Sequence, residues 1–146
     1  MSARFIIFLL VMATALGCAR ERPKTAAVSG RITFDGDPLP GAAVLFMPQA
    51  GGRPASGITD DDGMYRLTTF VAHDGALLGN HTVLITKQET IVLASSAESA
   101  GTPPVGMPVA RSIIPERYGN ADFSQLAADV VGHENHFDFD LSLGGR

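Results

Sequence analysis

The sequence predicts an all-β fold, an antiparallel sandwich of about seven short strands, on three observations. Glycine (16 residues) and proline (9) are scattered among short apolar runs instead of forming one low-complexity block, so turns are many. Apolar and polar residues alternate in several of those runs, most fully where Phe137, Phe139, Leu141 and Leu143 interleave with His136, Asp138, Asp140 and Ser142. No stretch after Cys18 reads first as a helix.

Arg4 precedes the apolar run Phe5–Gly17, which closes on Cys18, the single cysteine of 146 residues. A basic residue, a short apolar run and small residues before a cut site are the layout of a secretory signal. The run is too short to span a bilayer, which takes about 20 apolar residues. Ala15-Leu16-Gly17-Cys18 resembles the bacterial lipobox, with Ala15 where that pattern usually has leucine. The resemblance implies a signal peptide over 1–17, diacylation of the Cys18 thiol, and acylation of the new N-terminus. The alternative is an ordinary secretory signal with Cys18 a small residue near the cut. An unpaired thiol in an oxidising compartment is a liability that acylation removes. More than one acyl chain also meets the requirement for stable attachment. The expected location is the bacterial cell envelope, with the membrane as partner through a lipid anchor on Cys18.

Residues 18–26 are polar and aperiodic, a tether to a single domain over 27–146. Val28–Phe34 alternates as a half-buried strand, and Asp35-Gly36 is a turn signal. Pro38 and Pro40 delay the next strand. Ala42–Met47 is apolar on both faces, as in a strand covered on both sides or near a sheet centre, and Pro48 ends it. A Gly-rich loop leads to Gly57-Ile58-Thr59 and the turn Asp60–Gly63, then to a strand over Met64–Phe70. After the His73–Ala76 loop a strand spans Asn80–Lys87. Residues 88–112 are the least regular part, an apolar patch at Ile91–Ala94 followed by a Ser/Ala/Gly/Pro-rich stretch, expected to be a mobile excursion. Ser124–Val131 reads as a turn or two of amphipathic helix or as a strand, the strand being favoured by the alternation of Leu126, Ala128 and Val130. Gly132–Asn135 is a hairpin loop, and His136–Leu143 the last strand.

Without residues 1–17 the chain keeps all fifteen acidic residues and loses one of eleven basic ones, Arg4, for a formal charge of −5. That balance lacks the basic footprint of a nucleic-acid binder. The remaining chain, about 125 residues, suits one core and leaves no room for a second, catalytic domain.

Three blocks, Val28-Ser-Gly-Arg-Ile-Thr-Phe34, Pro38-Leu-Pro-Gly-Ala-Ala-Val44, and Gly57-Ile-Thr-Asp60 with Gly63-Met-Tyr65, resemble in order and spacing the carboxypeptidase regulatory-like domain. The resemblance implies a Greek-key, transthyretin-like sandwich of the kind found in small bacterial envelope lipoproteins. It makes Gly30, Gly41, Thr59, Asp60, Gly63 and Tyr65 motif residues of the fold. The glycines also have work independent of the family: Gly63 closes a tight reversal and Gly41 lets the chain turn into a strand. A fold of this kind says little about chemistry.

Asp60-Asp61-Asp62 offers hard oxygens for calcium, but alternate acidic positions fail at Ile58. His133-Glu134-Asn135-His136, with His73 or His81, is the one candidate zinc set, surface turns being the default reading. No Gly-x-Ser-x-Gly nucleophile elbow occurs, and the tail Leu141–Arg146 lacks the Tyr-Arg-Gly-Ser type ending of the transthyretin-like hydrolases. The expectation is a non-catalytic module without a cofactor, its partner an envelope protein or a glycan. A carbohydrate-binding module and a small metal-dependent hydrolase are the competing classes. With no Trp and two Tyr, only Tyr118 is spare as a sugar platform. Ile91, Val92 and Leu93 either form an exposed protein-binding surface or merely extend the preceding strand.

Overall fold

Order begins before residue 27. In the computed structural model, which describes residues 22–93 and 107–144, Thr25 and Ala26 are already paired in a ladder. The predicted signal segment 1–17, Cys18 and the middle of the 88–112 excursion lie outside the described residues. Thirteen strands and one 3₁₀ turn, Glu116–Gly119, make up the described chain. The strands are β1 (Thr25–Ala26), β2 (Val28–Phe34), β3 (Asp37–Pro38), β4 (Ala43–Pro48), β5 (Ala55–Ile58), β6 (Met64–Arg66) and β7 (Ala76–Leu77). Then come β8 (Gly79–Thr86), β9 (Gln88–Leu93), β10 (Met107–Ser112), β11 (Ala127–Val130), β12 (Asn135–His136) and β13 (Phe139–Leu141).

Two sheets carry the fold. The first has the order β11-β8-β4-β5 and is antiparallel throughout. The second is built on β2, with β6 and β3 antiparallel along one side and β12 and β13 parallel along the other. They share one core in a sandwich-like arrangement. Val44, Phe46, Val83, Ile85 and Val130 of the first sheet meet Val28, Ile32, Tyr65 and Leu141 of the second, all buried. Alternation along β4 explains its apolar composition. Val44 and Phe46 point into the core, whereas Met47 is 37% exposed on the outer face of a central strand.

Several expected elements differ. The strand predicted over Met64–Phe70 keeps its alternation, with Tyr65, Leu67 and Thr69 buried, but leaves the second sheet after Arg66. Thr68 exchanges backbone bonds with Ser56 of β5 instead, so this segment stitches one sheet to the other. Gly132–Asn135 is not a hairpin loop, because β11 and β12 belong to different sheets. Crossing between layers makes the last segment run parallel to β2, against the expectation of antiparallel pairing throughout. Residues 88–112 form a regular ladder where their ends are described, β9 against β10 from Gln88 opposite Ser112 to Leu93 opposite Met107.

The final strand is interrupted at Phe137-Asp138, and the cause lies opposite it. Both halves hold one register along β2, Asn135 facing Val28 and Leu141 facing Phe34. Between them the Phe137 carbonyl turns inward over Gly30, where a Cβ would stand 1.8 Å from the carbonyl oxygen. Tyr65 donates its hydroxyl to that carbonyl (2.8 Å), and the Asp138 carboxylate accepts the Arg31 N–H (2.7 Å) that the ladder would otherwise have paired.

Candidate functional site

The motif residues are fixed by backbone geometry. Gly63 (φ +76°) is buried where a Cβ would meet the Ile32 carbonyl oxygen at 2.5 Å, and Gly41 (φ +62°) starts the run into β4. Asp60 accepts the N–H groups of Asp62 (3.1 Å) and Met64 (2.9 Å), closing the turn. Thr59 is buried, accepting from the Ala42 N–H (2.8 Å) and donating to the Leu39 carbonyl. Burial, with the Asp138 charge added, pushes the Tyr65 hydroxyl far above the usual phenol range. These six residues shape the turns and close contacts of the two sheets, with Thr59, Gly63 and Tyr65 buried and Asp60 exposed.

The histidines are dispersed. His81 is fully buried beside Phe46 (ring centroids 5.9 Å apart); its Nδ1 lies 2.8 Å from the Gly79 carbonyl oxygen and its Nε2 meets no polar atom. His73 is in the left-handed region (φ +61°) on an exposed loop. Among the described residues no three His, Cys, Asp or Glu side chains converge as metal ligands.

One contact was not anticipated. His136 lies with Nδ1 3.4 Å from Ser29 Oγ and Nε2 3.0 Å from Asp138 Oδ1. The signal was present, since Ser29 lies on the outward face of β2 and His136 and Asp138 alternate on the parallel neighbour. The His136 and Asp138 side chains are 56% and 62% exposed, so water competes for each bond. Acyl transfer requires donors organised around a water-excluded centre. A shallow groove of about 910 Å³ is lined by Ser29 of this contact together with Ile58, Met64, Arg66 and Glu134.

Tyr118, the spare platform of the sequence reading, is already engaged. Its hydroxyl bonds to both the N–H (3.1 Å) and the carbonyl (3.2 Å) of Ser142, and the Arg117 guanidinium lies over its ring at 4.8 Å. Burial pushes that hydroxyl up, but the Ser142 bonds and the Arg117 charge outweigh it and hold the group below the usual phenol value. The ring therefore pins the C-terminal strand.

The remaining surface is the β9–β10 arm. Ile91–Leu93 lies in β9, which follows β8 after Lys87 but pairs with β10 in a sheet of its own. Val92 is 68% exposed and Val109 40% exposed, and Ile91 is half-buried. None of the arm's described side chains belongs to the buried core.

No helix among the described residues is long and apolar enough to cross a membrane. No family model matches the sequence, and the search of curated proteins likewise returned no match. Among solved structures, a 9R-lipoxygenase from Cyanothece PCC8801 is similar over 97% of this chain and 21% of its own, at 11% identity and a TM-score of 0.39. The chain thus spans about a fifth of the length of that structure.

Proposed function

We propose that this chain is a membrane-anchored lipoprotein of the bacterial cell envelope whose sandwich is a non-catalytic interaction module. Cys18 bears the lipid, residues from 19 onward lead to the domain, and the finer topology is the Greek key of the carboxypeptidase regulatory-like, transthyretin-like kind. The anchor reading is supported by the sequence around Cys18. The interaction reading is carried by the arm: β9 and β10 pair over six residues each, yet none of their described side chains enters the core. A lone two-stranded ladder is marginal in water. An arm of this kind gains its stability from something laid against it.

The anchor is tested by the intact mass of the membrane-extracted product beside a Cys18→Ser control. Cleavage before Cys18 plus a diacylglycerol and an acyl chain, lost in the control, is the expected result. An unlipidated, soluble product in a native-like host overturns it.

A further inference from the structure

We infer that the free edge of β9 pairs with the same edge of a second copy of this chain. The inference rests on the arm being a docking element and names its occupant.

The direction of the arm's backbone groups follows from one bond. The Ile113 N–H donates to the Lys87 carbonyl (3.1 Å), and these residues lie opposite in the register that sets Ser112 against Gln88 and Arg111 against Glu89. In an antiparallel ladder, bonded and non-bonded pairs alternate. Glu89 and Ile91 therefore exchange bonds with Arg111 and Val109, while Gln88, Thr90 and Val92 turn their N–H and C=O groups away from β10. No described strand covers that edge; β9 pairs with β10 alone. The outer edge of β10 is different. By the same alternation Pro108, opposite Val92, faces outward, and proline there removes a donor and blunts the edge.

The β9 edge is its own complement. A two-fold axis through Thr90 sets Thr90 against Thr90 and Gln88 against Val92, so each of the three outward donors meets an acceptor in an isologous contact. Moving the axis to Glu89 would place like charges directly opposite, which is destabilising, and would strand Val92. With the axis at Thr90, Glu89 faces Ile91 of the copy and keeps Arg111 of its own arm across the ladder. The product is a four-stranded sheet in place of two marginal pairs, with the β-branched run Thr90-Ile91-Val92 at its centre.

The test uses the full-length chain carrying Cys18→Ser, so that any added thiol stands alone. In the proposed register Thr90→Cys lies opposite itself, whereas Gln88→Cys is about 13 Å from its own counterpart along the strand. A bis-maleimide that reaches only between directly opposed residues is expected to link Thr90→Cys at least tenfold more than Gln88→Cys or Val92→Cys, and to link the Gln88→Cys/Val92→Cys double variant as well. Thr90→Pro, which removes an outward N–H and no bond to β10, is expected to sediment as a monomer with an unchanged thermal midpoint. Equal linking at all three positions, or a monomeric starting protein at every concentration, overturns the second copy as occupant. Amide exchange then separates the two failures. Protection of Gln88, Thr90 and Val92 in native membranes but not in the purified monomer keeps the docking role and gives the edge to another protein's strand. Absence of protection in both removes the docking role too.

Discussion

Tyr65 answers a carbonyl that the sheet itself leaves unpaired. Its bond to Phe137 makes the interruption of the final strand tolerable, and Tyr65→Phe is expected to cost about 1–3 kcal/mol, read from chemical denaturation. The hydroxyl ionises far above its ordinary value of 10.0, so the folded state keeps a proton that the unfolded chain releases. Stability from this group is complete below pH 10 and declines as pH rises beyond it; the Phe variant should lose that alkaline slope. With two tyrosines and no tryptophan, phenolate absorbance should rise in two separate steps. The first, below pH 10, belongs to Tyr118, and the second coincides with unfolding. A single step would contradict both environments. Gly30→Ala drives a methyl into the Phe137 carbonyl and is expected to cost about 3 kcal/mol or more, with Tyr65→Phe adding little on top because both act on the same atom. Asp74 shows the opposite pH sign. It is partly shielded, which raises its carboxyl, but N–H groups from Thr69, Phe70 and Val71 prevail and hold it below its usual 3.8. Its contribution is present above about pH 4 and lost as pH falls through the folded value, so Asp74→Asn should flatten the acid limb of a stability–pH curve.

At the level of elements, the body and the arm are separable. Replacing 88–112 with a short turn removes no core side chain among the described ones, and the thermal midpoint should move by no more than about 4 °C, the equivalent of roughly 1 kcal/mol. A larger fall would mean that the arm braces the sandwich. The parts of the fold that could be read from the sequence were those set by local alternation. Val28–Phe34 and Asn80–Lys87 were visible because period-2 patterning and flanking turn residues act within a few positions. The elements that escaped depend on distant partners. Thr68 leaves its sheet because Ser56 waits on the other, and His136–Leu143 breaks because Gly30, some hundred residues earlier, makes room for a carbonyl. Residues 88–112 looked irregular because the Ser/Ala/Gly/Pro-rich stretch at its centre obscures two ordered flanks. The contact among Ser29, His136 and Asp138 needed the parallel register, which no local pattern encodes.

Across the whole molecule, the core is closed by its last residues. Leu141 is fully buried against β2, Asn135 bonds back to Ala27, and Arg117 and Tyr118 fasten Ser142 behind them. Truncation after Glu134 should therefore leave a chain without a cooperative thermal transition, checked by calorimetry beside the arm deletion, which keeps one. Because β12 and β13 pair with β2 across a separation of 107 residues, β2 keeps an open flank, and the Gly30 notch stays empty, until that distant segment docks. The entropy of closing so long a loop comes before any contact rewards it, so this pairing is the slow step of folding.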